Sequence, residues 1–154
     1  MDHLILLVTI LLPLLGALFI GLVLPREDEG AVRGATIVIS LLTFVISIPM
    51  FFLFDVENAG YQFAMSWDWL TPFGASFSLG IDGISLLLIV LTTFLVPVSL
   101  LASWRGITKR VKAFHVAILV LEAAMIGVFA ARDLLVFFIF WEVMLVPMFL
   151  LIGV

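Results

Sequence analysis

The chain has 154 residues, 65% of them hydrophobic, with seven Lys/Arg against eleven Asp/Glu and a formal net charge of −4. Soluble domains average about a quarter charged residues and leave much of their surface in water, so a mean hydropathy of +1.39 excludes a soluble globule and identifies an integral membrane protein. The lack of Cys excludes disulfide frameworks, thiolate metal sites and iron–sulfur ligation, and a pI near 4.9 provides no basic footprint for nucleic acid.

Five apolar runs reach the roughly 20 residues that a helix needs to cross a bilayer: Leu4–Leu24, Gly34–Phe54, Ile84–Trp104, Ala113–Ala131 and Leu134–Val154. Lipid leaves the polar groups of an open strand edge unsatisfied, so the expected fold is all-α with five transmembrane helices. Residues 1-54 form the first two helices, 55-83 an extracytoplasmic loop, and 84-154 the remaining three. The first run opens on Asp2 and His3 rather than a basic stretch and ends in Leu24-Pro25 without a small-residue cleavage site, so it reads as a retained helix rather than a signal peptide.

Arg26 and Arg33 fall in the first loop, Arg105, Lys109, Arg110 and Lys112 in the third, and none in the second, from Asp55 to Gly83. Arg132 stands alone in a two-residue turn between runs four and five. The positive-inside rule therefore makes the side of loops one and three cytoplasmic and the N-terminus external. In the second loop, Tyr61–Trp67 and Ala75–Leu79 alternate apolar and polar residues around Thr71-Pro72-Phe73-Gly74, the pattern of two short strands flanking a turn. An interfacial loop whose Trp67 and Trp69 anchor at the headgroups fits the same residues. Val154 closes an apolar run without a polar flank, from which a truncated sequence or a split gene product is expected.

Two of the runs contain a carboxylate. Glu122 lies about 13–14 Å from the cytoplasmic end of the fourth, and Glu142 about 12 Å from the outer end of the fifth, so in a core about 30 Å thick both lie near the midplane. A charge there costs at least about 2.5–3.5 kcal/mol. Such a group stays protonated or meets a cation or water, and either condition suits proton handling. The plainer reading of each glutamate is a helix-packing group. Pro147 frees the Val143 carbonyl beside Glu142 and makes room for water, whereas Pro13, Pro49 and Pro97 are expected only to bend their helices. His115, two residues into the fourth run, is a cytoplasmic-side relay candidate or an interfacial polar residue. Arg132-Asp133 reads as a structural turn. Since no Lys or Arg lies inside any run, a cationic partner for Glu142 has to come from outside these residues.

Three motifs, in this order and spacing, carry a resemblance. Leu79-Gly80-Ile81-Asp82-Gly83-Ile84-Ser85 resembles the loop-to-helix signature of the antiporter-like subunits of respiratory complex I. Phe114-His115, Leu121–Phe129 and Arg132-Asp133-Leu134 resemble that family's fourth helix. Phe140-Trp141-Glu142-Val143-Met144-Leu145-Val146-Pro147-Met148 is similar to the fifth-helix motif of the chain M (chain 4) branch of NADH:quinone oxidoreductase. The resemblance is clear from about Trp67 onward. It implies the first part of a fourteen-helix, membrane-arm subunit that moves protons while other subunits bind NADH and quinone. No cofactor or metal would then be held by this chain, and its partners would be the other membrane-arm subunits and lipid, in a bacterial inner membrane.

In that family the glutamate matching Glu142 is the essential carboxylate and interacts with a lysine on a broken seventh helix, while the position matching Glu122 is often acidic or amide. Two alternatives share the motifs or the composition: the D-type subunit of a multisubunit cation/proton antiporter or a hydrogenase-linked paralogue, and a non-catalytic scaffold bundle. Gly80-Ile81-Asp82-Gly83 is not a phosphate cradle, because it lacks the glycine spacing and the basic residue of one.

Overall fold

Within a bilayer the backbone has to satisfy its own N–H and C=O groups, and most of this chain does so in helices. The structure, a computed structural model, describes residues 2–153; Met1, and Val154 at the end of the fifth apolar run, lie outside the described residues. The helices are α1 (Asp2–Val23), α2 (Glu29–Leu53), α3 (Gly83–Ala102), α4 (Val111–Ala130) and α5 (Leu134–Ile152), and all five are long and apolar enough to cross a membrane. Pro13, Pro49, Pro97 and Pro147 lie inside helices that continue through them.

The helix ends are set by polar caps that an apolar pattern does not register. α2 starts at Glu29, ahead of its apolar run, because the Asp28 carboxylate accepts the Ala31 N–H at 3.0 Å and thereby satisfies an otherwise orphaned donor. Arg33 consequently lies within α2 rather than in the first loop, 3.5 Å from Glu29 one turn earlier. Asp82 caps α3 through the Ser85 N–H at 2.8 Å, and Asp133 caps α5 through the Leu135 N–H at 2.8 Å.

Between α2 and α3 the chain forms an antiparallel hairpin, β1 (Gln62–Leu70) and β2 (Ala75–Ile81), joined by a 3-10 turn over Thr71–Phe73. Gly74 closes that turn at φ 67°, a backbone conformation that L side chains seldom adopt. The hairpin seals one end of the bundle. Its Phe63, Leu79 and Ile81 are buried among Leu6 and Ile10 of α1, Met50 of α2, Leu86 and Ile89 of α3, Ile126 and Ala130 of α4, and Val136 of α5.

The link from α4 to α5 is Ala131–Asp133, one residue longer than the two-residue turn expected, and it is clamped to the hairpin. Ala131 bridges Leu79, and the Arg132 N–H donates to the Ser78 carbonyl at 3.0 Å. The Arg132 guanidinium lies 4.4 Å from the centre of the Tyr61 ring, a cation–π contact. A Cβ on Gly80 would come within 2.7 Å of Arg132 Cδ. The Gly-Ile-Asp-Gly segment is thus a structural joint: Gly80 admits Arg132, Ile81 is core, and Asp82 caps α3.

At the opposite end, Arg33 donates to the Trp104 and Ile107 carbonyls, and Lys112 Nζ donates to the Leu24 carbonyl at 2.6 Å. Six of the seven basic residues gather at this end, the cytoplasmic end by the positive-inside rule. α4 is the central helix and touches each of the other four. Its buried Ala117, Ala123, Ala124, Gly127 and Ala130 allow the close approach that drives helix association in lipid. α5, by contrast, buries only Val136 and Pro147.

Ser85 N–H, foremost among the donors to Asp82, holds that carboxyl below its ordinary value of 3.8. A depressed folded value stabilises above the unfolded pKa and is lost as pH falls through the folded one. Asp82→Ala therefore lowers stability by about 1 kcal/mol at neutral pH, with the difference from wild type closing below pH 3.8; thermal unfolding in detergent against pH would contradict this if the loss were constant. A side chain at Gly127 would run into the Phe140 ring, so Gly127→Leu costs about 1–3 kcal/mol. Phe140→Ala should recover part of that loss in the double variant, and purely additive losses would contradict the assigned contact.

Candidate functional site

The interior of a membrane bundle has little use for polar side chains, so those that α4 and α2 bury define the site. Glu122 is fully buried on α4, at 0% exposure, and neither carboxylate oxygen has a hydrogen-bond partner. His115, seven residues earlier and also buried, leaves Nδ1 without a partner and packs edge-on against Phe114. Seven residues are two helical turns, about 10.5 Å of rise, so His115 and Glu122 share one face of α4, with His115 nearer the basic end. Buried polar atoms without protein partners are where interior water is held. A buried carboxyl and an imidazole two turns apart on one face are groups that can each accept and release a proton.

A feature that hydropathy alone does not reveal lies on α2. Thr36, Ser40, Thr43 and Ser47, spaced 4, 3 and 4 residues apart, are all fully buried. Each donates to a carbonyl of its own helix: Thr36 to Val32 at 2.7 Å, Ser40 to Ile37 at 2.9 Å, Thr43 to Ile39 at 2.9 Å and Ser47 to Phe44 at 2.6 Å. Ser47 Oγ also lies 2.8 Å from Thr93 Oγ1 of α3. The available signal was the heptad-like spacing of hydroxyls within an apolar run, which marks the face a helix turns toward its neighbours. Those hydroxyls are satisfied; Glu122 and His115 Nδ1 are not.

Glu142 stands differently. It is exposed on α5, on a helix whose outward face includes Phe138, Trp141, Val143, Val146 and Phe149. Glu122 lies eight residues before the end of α4 and Glu142 eight residues after the start of α5, which places both about 12 Å from the same end of the bundle by helical rise. The two carboxylates therefore share a depth but not a face, and the structure forms no hydrogen bond or ion pair between them among the described residues. Pro147, one turn beyond Glu142, is buried. Among the described residues no three His, Asp or Glu side chains converge as a metal site.

Comparison with known proteins agrees with this architecture. Residues 5–128 match the family described as NADH-ubiquinone oxidoreductase chain 4, amino terminus. The chain is 42% identical over 145 residues to NADH-ubiquinone oxidoreductase chain 4 of Marchantia polymorpha, covering 94% of this chain and 29% of that relative. It is 40% identical to NADH-quinone oxidoreductase subunit M of Rhodobacter capsulatus, covering 100% of this chain and 30% of the relative. In respiratory complex I from Thermus thermophilus with bound NADH, one chain superposes with a TM-score of 0.73 at 28% identity, over 92% of this chain and 27% of the other. The chain thus spans about 30% of the length of the relatives it matches, and it belongs to the NADH-ubiquinone oxidoreductase chain 4 (subunit M) family, over that family's amino-terminal part.

Proposed function

We propose that this chain contributes to proton translocation in the membrane arm of an NADH:quinone oxidoreductase, assembled with the other membrane-arm subunits, while NADH and quinone are bound elsewhere. The observation that carries the reading is the pair of glutamates at one depth in the membrane interior, one sealed in the bundle without a partner and the other on an open helix face. A mid-membrane ionisable group is costly and marks an ion or proton path by default. The family match to chain 4 favours this assembly over an antiporter or hydrogenase-linked one.

In this reading Glu142 is the proton-exchanging carboxylate, and its open position on α5 leaves it free to meet a cation from a segment beyond the five helices. Approach of that cation stabilises the carboxylate and releases its proton to water; withdrawal favours reprotonation. Glu122 stores a proton inside the bundle and exchanges it through water with Glu142. His115, on the same face toward the basic end, is the cytoplasmic-side donor. Pro147 keeps water near Glu142 by leaving the Val143 carbonyl without its helical donor.

The test uses the complete complex in proteoliposomes. Glu142→Gln should lower NADH-driven proton uptake at least about tenfold with assembly intact, and Glu122→Gln should lower it less. Uptake at the wild-type level in assembled Glu142→Gln complex would overturn the role.

A further inference from the structure

We propose that the cavity between the basic ends of α1 and α4 is a headgroup site for an anionic phospholipid. The cavity holds about 670 Å³ and is lined by Gly21, Arg26, Glu29, Arg110, Lys112 and Val116 among others. Three cations thus face one carboxylate, and Glu29 already has Arg33 at 3.5 Å. Among the described residues the Arg26 and Arg110 guanidinium groups, both exposed and both lining the cavity, have no hydrogen-bonded or ion-paired protein partner, so their five donors each are free for an occupant. Lys112 keeps two of its three donors beyond the one given to the Leu24 carbonyl. Glu27 and Asp28 stand in the same loop; Asp28 is turned back onto the Ala31 N–H, and neither lines the cavity.

The occupant has to be amphipathic. Gly21 and Val116 belong to the apolar stretches of α1 and α4, so the lining joins cations to apolar span residues. Beside Gly21, the side chains of Leu15, Leu18 and Leu22 form an exposed strip along α1, at 57%, 52% and 83% exposure, where an acyl chain can lie. A free phosphate ion would use the cations and leave this strip idle; a phospholipid uses both. Arginine's planar fork binds phosphate oxygens in pairs, and basic pockets between spans on the cytoplasmic side are suited to anionic headgroups. The site is separate from Glu122 and Glu142 and does not depend on the proton-transfer reading.

The experiment places the full-length protein in phosphatidylcholine nanodiscs with and without phosphatidylglycerol, and counts retained lipids by native mass spectrometry. Wild type is expected to retain one phosphatidylglycerol that Arg26→Gln/Arg110→Gln loses, with inorganic phosphate failing to displace it. Gly21→Leu, which fills the cavity without changing charge, is expected to lose it too. Arg105→Gln/Lys109→Gln, at the same end but off the cavity, should retain it. All of these leave the Arg33 and Lys112 clamps in place, and helix content by circular dichroism checks folding. Equal retention by wild type and the cavity variants overturns the proposal. Displacement by inorganic phosphate, or the cavity found filled by an acidic polypeptide segment in the assembled complex, overturns the lipid assignment.

Discussion

Everything in this molecule follows from the cost of an unpaired polar group in hydrocarbon. That cost makes the chain helical wherever it crosses, turns the hydroxyls of α2 back onto their own carbonyls, and sends charged side chains to the helix ends. Lys112 reaches the Leu24 carbonyl just past α1, and Arg33 the Trp104 and Ile107 carbonyls in the loop after α3, so the same groups that fix orientation by their charge also tie the loops together. At the other end the hairpin does the equivalent work with apolar side chains and one stacked guanidinium.

Against that background a buried glutamate without a partner is the exception that needs a reason. Packing alone would place an alanine or leucine at position 122, as at Ala123, Ala124 and Leu119 around it. In the proposed function, water and proton exchange supply the reason, and the open face of α5 supplies the second half of the site. The small residues of α4 hold it against the other four helices, and in the proposed function its Glu122 and His115 also handle protons.

The five spans were legible in the sequence because apolar length is what a bilayer selects, and the alternation in Tyr61–Trp67 and Ala75–Leu79 falls, Tyr61 apart, within the observed strands. Caps and clamps were not. Asp28 extends α2 back to Glu29 through one carboxylate bond, and Arg132 meets Tyr61 across 71 positions of chain, which no local pattern encodes. Nor could the sequence assign faces. In water an apolar stripe marks the buried side, but in lipid both sides of a helix are apolar, so nothing distinguished Glu122, which turns inward, from Glu142, which turns out. The Gly80–Gly83 motif was recognisable as a signature, yet its physical work, a joint between hairpin, turn and helix cap, emerged only from the contacts of Arg132 and Ser85.

In the proposed function a mid-membrane carboxyl of this chain gains and loses a proton during turnover. Infrared difference spectroscopy of the complete complex, comparing resting and NADH-driven states, tests it most directly. The expected result is a carboxyl difference band that disappears in Glu142→Gln and is altered in Glu122→Gln. A difference spectrum unchanged by both substitutions would show that neither glutamate exchanges a proton, and would leave them as packing groups of a helical scaffold.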